Sequence, residues 1–279
     1  MKNIIKSKRI IIPIILCIAL IWIPIAIIEH RMSSEIIEAI REGKDVEYVE
    51  ELIEKSWNLN ALNTFSFMKY IDVPVYPPII KACEESNYEV VEILIENGAS
   101  VNYVRGAIAS PITIVISHLR NVDYPLLKLL LENGADPNEP VNGYYPIIKV
   151  CSLYAENYEG QDRQVEEEKL LDAIKLLIEY GAEVKVVEYG ANAIHKLAFY
   201  NNITCMEFIV ENYEFDLNFQ NVRGETALML AGANIQGGSE CIEFLLKQGA
   251  RKDIVSDDGK TAYDYAIEAG NYNCAELLK

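Results

Sequence analysis

Six cysteines, three histidines and 42 acids are the groups in this 279-residue chain whose types can do chemistry. A metal site would need ligands at short spacing, such as C-x-x-C or H-x-x-x-H. His30, His118 and His195 lie far apart, and neither spacing occurs. "SDDGKT" (256–261) has the turn composition of a calcium loop. Ile254 and Ser256, however, stand at ligand places, and Tyr265 stands where the bidentate Glu belongs. The sequence holds no glycine-rich phosphate cradle, no G-x-S-x-G, and no histidine placed by local motif beside a nucleophile. Carboxylate pairs abound, as 42 acids make inevitable. These residues predict no enzyme, no metal and no cofactor.

Cysteine chemistry fares similarly. Cys17 falls in an apolar run, which leaves five, an odd number for a disulfide framework. Cys205, Cys241 and Cys274 recur at one place in three helical segments where earlier segments have Val90, Leu126 and Ala173. Cys83 and Cys151 recur at a second place, shared with Ala198 and Gly232. Adjacent packed helices stand about 8–10 Å apart, whereas a disulfide needs its Cα atoms within about 7 Å. All five are expected as small core residues.

The elements around those cysteines repeat. "VVEILIENGASVN" (90–102) returns as "LLKLLLENGADPN" (126–138). The pattern recurs in "YVEELIEKSWNLN" (48–60), "AIKLLIEYGAEVK" (173–185), "CMEFIVENYEFDLN" (205–218) and "CIEFLLKQGARKD" (241–253), and the chain stops inside "CAELLK" (274–279). Each copy has apolar residues at helical spacing, and most break at Gly98, Gly134, Gly181 or Gly249, as a helix closed by a C-cap glycine does. Upstream of these lies a second series: "PPIIKAC" (77–83), "SPITIVI" (110–116), "YPIIKVC" (145–151), "NAIHKLA" (192–198), "TALMLAG" (226–232) and "TAYDYAI" (261–267). Its second-place residues, at 78, 111, 146, 193, 227 and 262, are Pro or Ala, which suit a first helical turn. "SEIIEAI" (34–40) reads as a degenerate first member, whose helix Ser33 or Ser34 would cap. The unit is a short helix, a turn, a longer helix and a looped finger with turn residues such as "VNGYY" and "NVRGET". One such unit cannot bury its apolar face alone, but stacked units can.

This pattern resembles the ankyrin repeat, whose consensus includes T-P-L-H-x-A-A, a second helix ending in a Gly-Ala pair, and a β-turn finger. The resemblance covers about residues 33–279 in seven units. It implies an all-α solenoid, curved, with fingers and inner helices forming a binding surface. The family's histidine survives as His195, for which the resemblance implies a hydrogen bond to the neighbouring turn. The first unit has Ser56 and Trp57 in place of Gly-Ala; the fifth has Glu214 and Phe215 in that region, so its second helix is expected to end differently.

Two places break the period: a long first finger over 61–76, and an insertion in the fourth repeat at about 155–168, both expected to be loops that serve binding. Aromatic and arginine residues on fingers and insertions are the types enriched at protein interfaces. The partner-binding candidates are Phe65, Phe67, Tyr70, Tyr103, Arg105, Tyr144, Tyr145, Tyr189 and Arg223.

Residues 10–28 carry no charge and, as a helix, would run about 28 Å, enough to cross a bilayer. The sequence is therefore read as a basic cytoplasmic N-terminus (1–9), a transmembrane signal-anchor helix (10–28), a short linker (29–34) and an ankyrin-repeat domain (35–279). "IAIIEHR" offers no small-x-small cleavage site. Lys2, Lys6, Lys8 and Arg9 precede the span, which by the positive-inside rule places the body beyond a bacterial inner membrane, on the periplasmic side. All 42 acids lie after residue 28, so that acidic body disfavours nucleic acid and suits a basic protein partner. The expected function is a membrane-anchored protein–protein interaction module that inhibits or sequesters its partner, as an immunity protein against a secreted toxin would. The alternative is a non-inhibitory scaffold for an envelope enzyme.

Overall fold

The structure, a computed structural model, describes residues 31–56, 59, 77–102, 110–117, 122–140, 144–153, 163–234 and 239–279. The predicted span 10–28 and the long first finger 61–76 lie outside the described residues. The repeat region expected as one domain over 35–279 divides after Val101 into two compact units.

The first unit holds α1 (31–41), α2 (Val46–Lys55), α3 (Pro78–Glu84) and α4 (Tyr88–Glu96), with α4 packed on both α2 and α3. Helix α1 already covers residues 31–34, so neither Ser33 nor Ser34 is the cap that the sequence suggests. Ser33 instead lies on the buried face, in register with Ile36 and Ile40 at helical spacing.

The second unit pairs α5 (Pro111–Ser117) with α6 (Tyr124–Glu132), α7 (Pro146–Cys151) with α8 (Arg163–Glu179) and α9 (Ala193–Phe199) with α10 (Ile203–Asn212). Helix α11 (Ala227–Gly232) pairs with α12 (Ser239–Lys247), and α13 (Ala262–Glu268) with α14 (Tyr272–Leu278). The first helices α5, α7, α9, α11 and α13 each pack on the next and form one layer. The second helices α6, α8, α10, α12 and α14 form the other. Between the layers lie Ile112, Leu126, Leu130, Ile147, Leu177, Ile209, Leu245 and their neighbours, almost wholly removed from water.

Local chemistry explains the recurring letters. At the end of α4, Gly98 adopts φ 87°, its N–H reaches the Ile95 carbonyl at 2.9 Å, and Ala99 N–H reaches the Leu94 carbonyl at 2.8 Å. That is the Schellman closure, in which glycine accepts the left-handed backbone without strain. Ala135, Ala182 and Ala250 close their helices in the same way onto Leu130, Leu177 and Leu245. Helices α2 and α10, which lack the glycine, end in extended C-caps at Ser56 and Tyr213; the sequence implies this for α10. Second helices begin on Asn87, Asp123, Asn202 and Asn271, whose side chains accept the N–H three residues on.

The terminal asparagine of each copied stretch ties one repeat to the next. Asn138 Nδ2 donates to the Gly181 carbonyl at 2.9 Å while its Oδ1 accepts Glu183 N–H at 2.8 Å. Asn102 grips Gly134 and Asp136 in the same manner.

The expected insertion 155–168 is not wholly a loop. Residues 163–168 are the first turns of α8, a 17-residue helix where α6 and α12 have 9. Gln, Glu and Lys favour helix intrinsically. In addition Glu167, buried, accepts Thr204 Oγ1 at 2.6 Å and Thr204 N–H at 3.2 Å, capping α10 from the neighbouring helix.

Candidate functional site

The fingers of the second unit stand side by side because glycine lets their backbones close up. A Cβ at Gly190 would lie 2.4 Å from Val222 Cγ1, and one at Gly224 would lie 2.7 Å from the Asp257 amide nitrogen. The Asp257 N–H donates to the Arg223 carbonyl at 3.0 Å. Two of these fingers turn on Gly224 and Gly259 at positive φ. Between Glu188 and Ala191, which exchange backbone hydrogen bonds at 2.7 and 2.8 Å, the turn has only two residues. Tyr189 (φ 47°) and Gly190 (φ 77°) both take the left-handed conformation there, as a type I′ turn demands. A tyrosine at that position carries strain that Asn or Gly would avoid.

This strained residue presents its side chain to water. Tyr189 is 65% exposed, and its ring meets Tyr144 edge-on at 5.7 Å. Along the same row Val222 is 71% exposed, and Val187 and Val255 are about half exposed. On the first helices, Lys149 stands 5.9 Å over the Tyr144 ring, and Phe199 is exposed at the end of α9. Large apolar groups held in water on a rigid scaffold are the signature of a docking surface.

Beneath them lies buried polar structure. Glu188 is almost fully buried; its Oε2 accepts Tyr145 N–H at 3.3 Å, and Oε1 has no hydrogen-bond partner among the described residues. Burial pushes its carboxyl up, opposed by the charges of Lys196 and Lys149 and the Tyr145 N–H. His195, on α9, points Nε2 at the Glu225 carbonyl at 3.2 Å, the contact to the next finger that the resemblance implies. Burial pushes the imidazole below its ordinary range, and the carbonyls of Glu225 and Phe219 pull the other way. Glu225 in turn accepts Tyr265 Oη at 3.1 Å, Asn221 Nδ2 at 2.8 Å and the Arg223 guanidinium at 3.3 Å. Each of these groups holds a finger in place.

Of the predicted site residues, Phe65, Phe67, Tyr70, Tyr103 and Arg105 lie outside the described residues. Tyr144 and Tyr189 come together. Arg223 is exposed and pairs with Glu225 beside Val222. Tyr145 does not join the docking row: it is the N-cap residue of α7 and is half-buried, because the chain turns into the helix there. Sequence reasoning missed Val222, Val255, Lys149, Lys196 and Phe199. The two lysines had a readable signal, since both are the fourth residue of a first helix.

The five described cysteines are buried, as expected from their slots. Burial pushes the Cys205 thiol up to about 12, with the nearby Glu167 charge adding to the effect. A thiol so placed is inert near neutral pH. Among the described residues no group of three or more His, Cys, Asp or Glu can hold a metal, and no helix is long and apolar enough to cross a membrane.

Comparison with known proteins gives the following. The family described as ankyrin repeats (3 copies) matches residues 162–255 and 213–279, and the single ankyrin repeat matches 76–105. An ankyrin repeat protein of Acanthamoeba polyphaga mimivirus is 27% identical over 164 residues, covering 57% of this chain and 37% of that protein. Ankyrin repeat domain-containing protein 37 of Homo sapiens is 32% identical over 110 residues, covering 39% of this chain and 68% of that protein. The chain thus spans little more than a third of the viral relative. Among solved structures, the crystal structure of the ankyrin repeat protein EF0377 superposes with a TM-score of 0.57 at 22% identity, over 72% of this chain and 95% of that one.

Proposed function

The chain belongs to the ankyrin-repeat family, and from that premise we propose that it is a membrane-anchored module that binds a protein partner and inhibits or sequesters it. The docking part rests on one observation: the row of exposed apolar finger residues Tyr144, Val187, Tyr189, Val222 and Val255. Tyr189 occupies it at a cost in backbone strain, and strain of that kind concentrates where a side chain serves binding. No catalytic role is assigned to any residue.

Anchoring is supported by the uncharged run 10–28, and its basic flank favours a body on the periplasmic side of a bacterial inner membrane. Held there, a rigid finger row would meet an incoming protein at the membrane surface and occlude its active site, as an immunity protein does to a secreted toxin.

A photo-crosslinking amino acid placed at Tyr189 tests the docking row, with Glu207 on the exposed face of α10 as control. A discrete protein adduct is expected from position 189 alone. Adducts from both positions alike, or from neither, would remove the finger row as the docking site. Saturating the captured partner with the full chain then decides the finer reading. Loss of the partner's activity supports inhibition, whereas full activity means the chain scaffolds its partner without inhibiting it.

A further inference from the structure

The charge of −17 is unevenly placed on the second unit. Exposed acids line the second helices: Asp172 and Glu179 on α8, Glu207 and Glu211 on α10, Glu240 and Glu243 on α12. The middle first helices carry no acid at all; their only charged residues are Lys149 on α7 and Lys196 on α9, with none on α11. Those two lysines share one helical register with Leu230 and Tyr265, all four half-buried on the same layer. Several lysines pair with a carboxylate, among them Lys128 with Glu132, Lys169 with Glu166 and Lys260 with Glu268. Lys149 and Lys196 form no ion pair among the described residues. Lys149 lies over the Tyr144 ring, and the charge both lysines face is that of the buried Glu188. Of the other charged groups on these fingers, Arg223 already neutralises Glu225.

Resting on the reading of this chain as a protein-interaction module, we propose that the face formed by α7, α9 and α11, with fingers 187–190 and 221–224, docks an acidic segment of a partner protein. Carboxylates of that segment engage Lys149 and Lys196, and its apolar side chains cover Tyr144, Tyr189, Phe199 and Val222. Charge complementarity selects this occupant. A basic partner is drawn to the acidic second helices and repelled by Lys149 and Lys196 on this face. Glu188 works against the occupant, because its carboxylate competes for the same two lysines.

The test uses the full chain and two immobilised peptide libraries, one of Asp, Glu, Tyr and Leu, the other with Lys and Arg in place of the acids. The acidic library should retain the chain, less so as salt rises. Lys149→Glu with Lys196→Glu should weaken retention at least about tenfold, since like charges then face each other. Glu188→Gln, which keeps an acceptor for the Tyr145 N–H, should tighten it. Both changes leave the helical layers intact, which the unfolding midpoint of each variant checks.

Preference for the basic library overturns the proposal, and so does retention indifferent to the lysines. Saturable binding of a single-stranded oligonucleotide that the lysine variant abolishes would replace the occupant with nucleic acid. Self-association that the lysine variant abolishes would replace it with a second copy of this chain. If peptide binding survives the lysine changes but falls on Tyr144→Ala with Tyr189→Ala, the docking face stands and only the acidic occupant is lost. If neither library is retained and the Tyr189 crosslinker labels nothing, the interaction reading falls with it.

Discussion

At the scale of single residues, the side chains that look most chemical are structural, and the one most at odds with its backbone is the one offered to solvent. His195 is buried against the Glu225 carbonyl, and burial lowers its affinity for a proton. An unfolded chain keeps the ordinary value near 6.5, so as pH falls the unfolded state takes up this proton first. Stability from His195 is complete above about 6.5 and declines as pH drops from there through the folded-state value. Denaturant midpoints of the native chain should therefore fall between pH 7.5 and 5.5 more than those of His195→Gln. Equal slopes would mean that the ring is protonated alike in both states. Glu188 has the opposite sign, since its raised folded value lets the folded chain take up a proton before the unfolded one, and it affects both proteins equally. Tyr189 makes a second prediction at this scale. A left-handed L-residue costs roughly 1–2 kcal/mol, part of which the edge contact with Tyr144, about 0.5–1.5 kcal/mol, offsets. Tyr189→Asn should leave the unfolding free energy unchanged or raise it by up to about 1 kcal/mol, while partner binding falls. A loss of more than about 1 kcal/mol would show that the ring serves the fold instead.

Among the elements, the repeat holds together through backbone-directed side chains at fixed offsets as well as through its apolar layers. Asn138 satisfies one carbonyl and one N–H of the following repeat at once. Each such hydrogen bond is worth about 0.5–1.5 kcal/mol net, with a further cost for groups left unpaired. Asn138→Ala should cost about 1–3 kcal/mol in chemical denaturation. Asn212, whose amide among the described residues donates to Phe208 of its own helix, should cost less on the same change. A smaller effect at 138 than at 212 would argue that neighbouring repeats are coupled by apolar burial alone. The long helix α8 shows the same principle on a larger scale. Its extra turns are ordered because Glu167 caps α10, a contact between helices that are joined only through a whole finger and a first helix.

For the whole molecule the question is where the body sits. Protease accessibility of the repeats in intact and lysed spheroplasts measures it directly. Digestion of the intact cells is expected if residues 10–28 anchor the chain with its basic end in the cytoplasm. Protection until lysis would place the repeats on the cytoplasmic side and direct the search for partners there. Charge matters at this scale too: the net −17 suggests a basic partner, but its distribution between the two helix layers favours an acidic one on the first-helix face.

What the sequence determined by itself follows from periodicity. Apolar spacing, Gly98 and its equivalents, and the period near 33 residues specify helix pairs that cannot bury their faces alone, so stacking is the one way to fold them. The same pattern marked the cysteines as core and foretold the different end of α10, because a missing glycine removes the left-handed cap. Tyr144, Tyr189 and Arg223 were legible as finger residues. That Tyr145 is half-buried at the start of α7, that residues 163–168 are helix, and that Val222, Lys149 and Lys196 join the tyrosines on one face were decided only by tertiary structure. Which side chains share a surface depends on how neighbouring repeats nest. That nesting is set by contacts across more than thirty residues, such as Gly190 against Val222 and Glu167 against Thr204, and no local spacing encodes them.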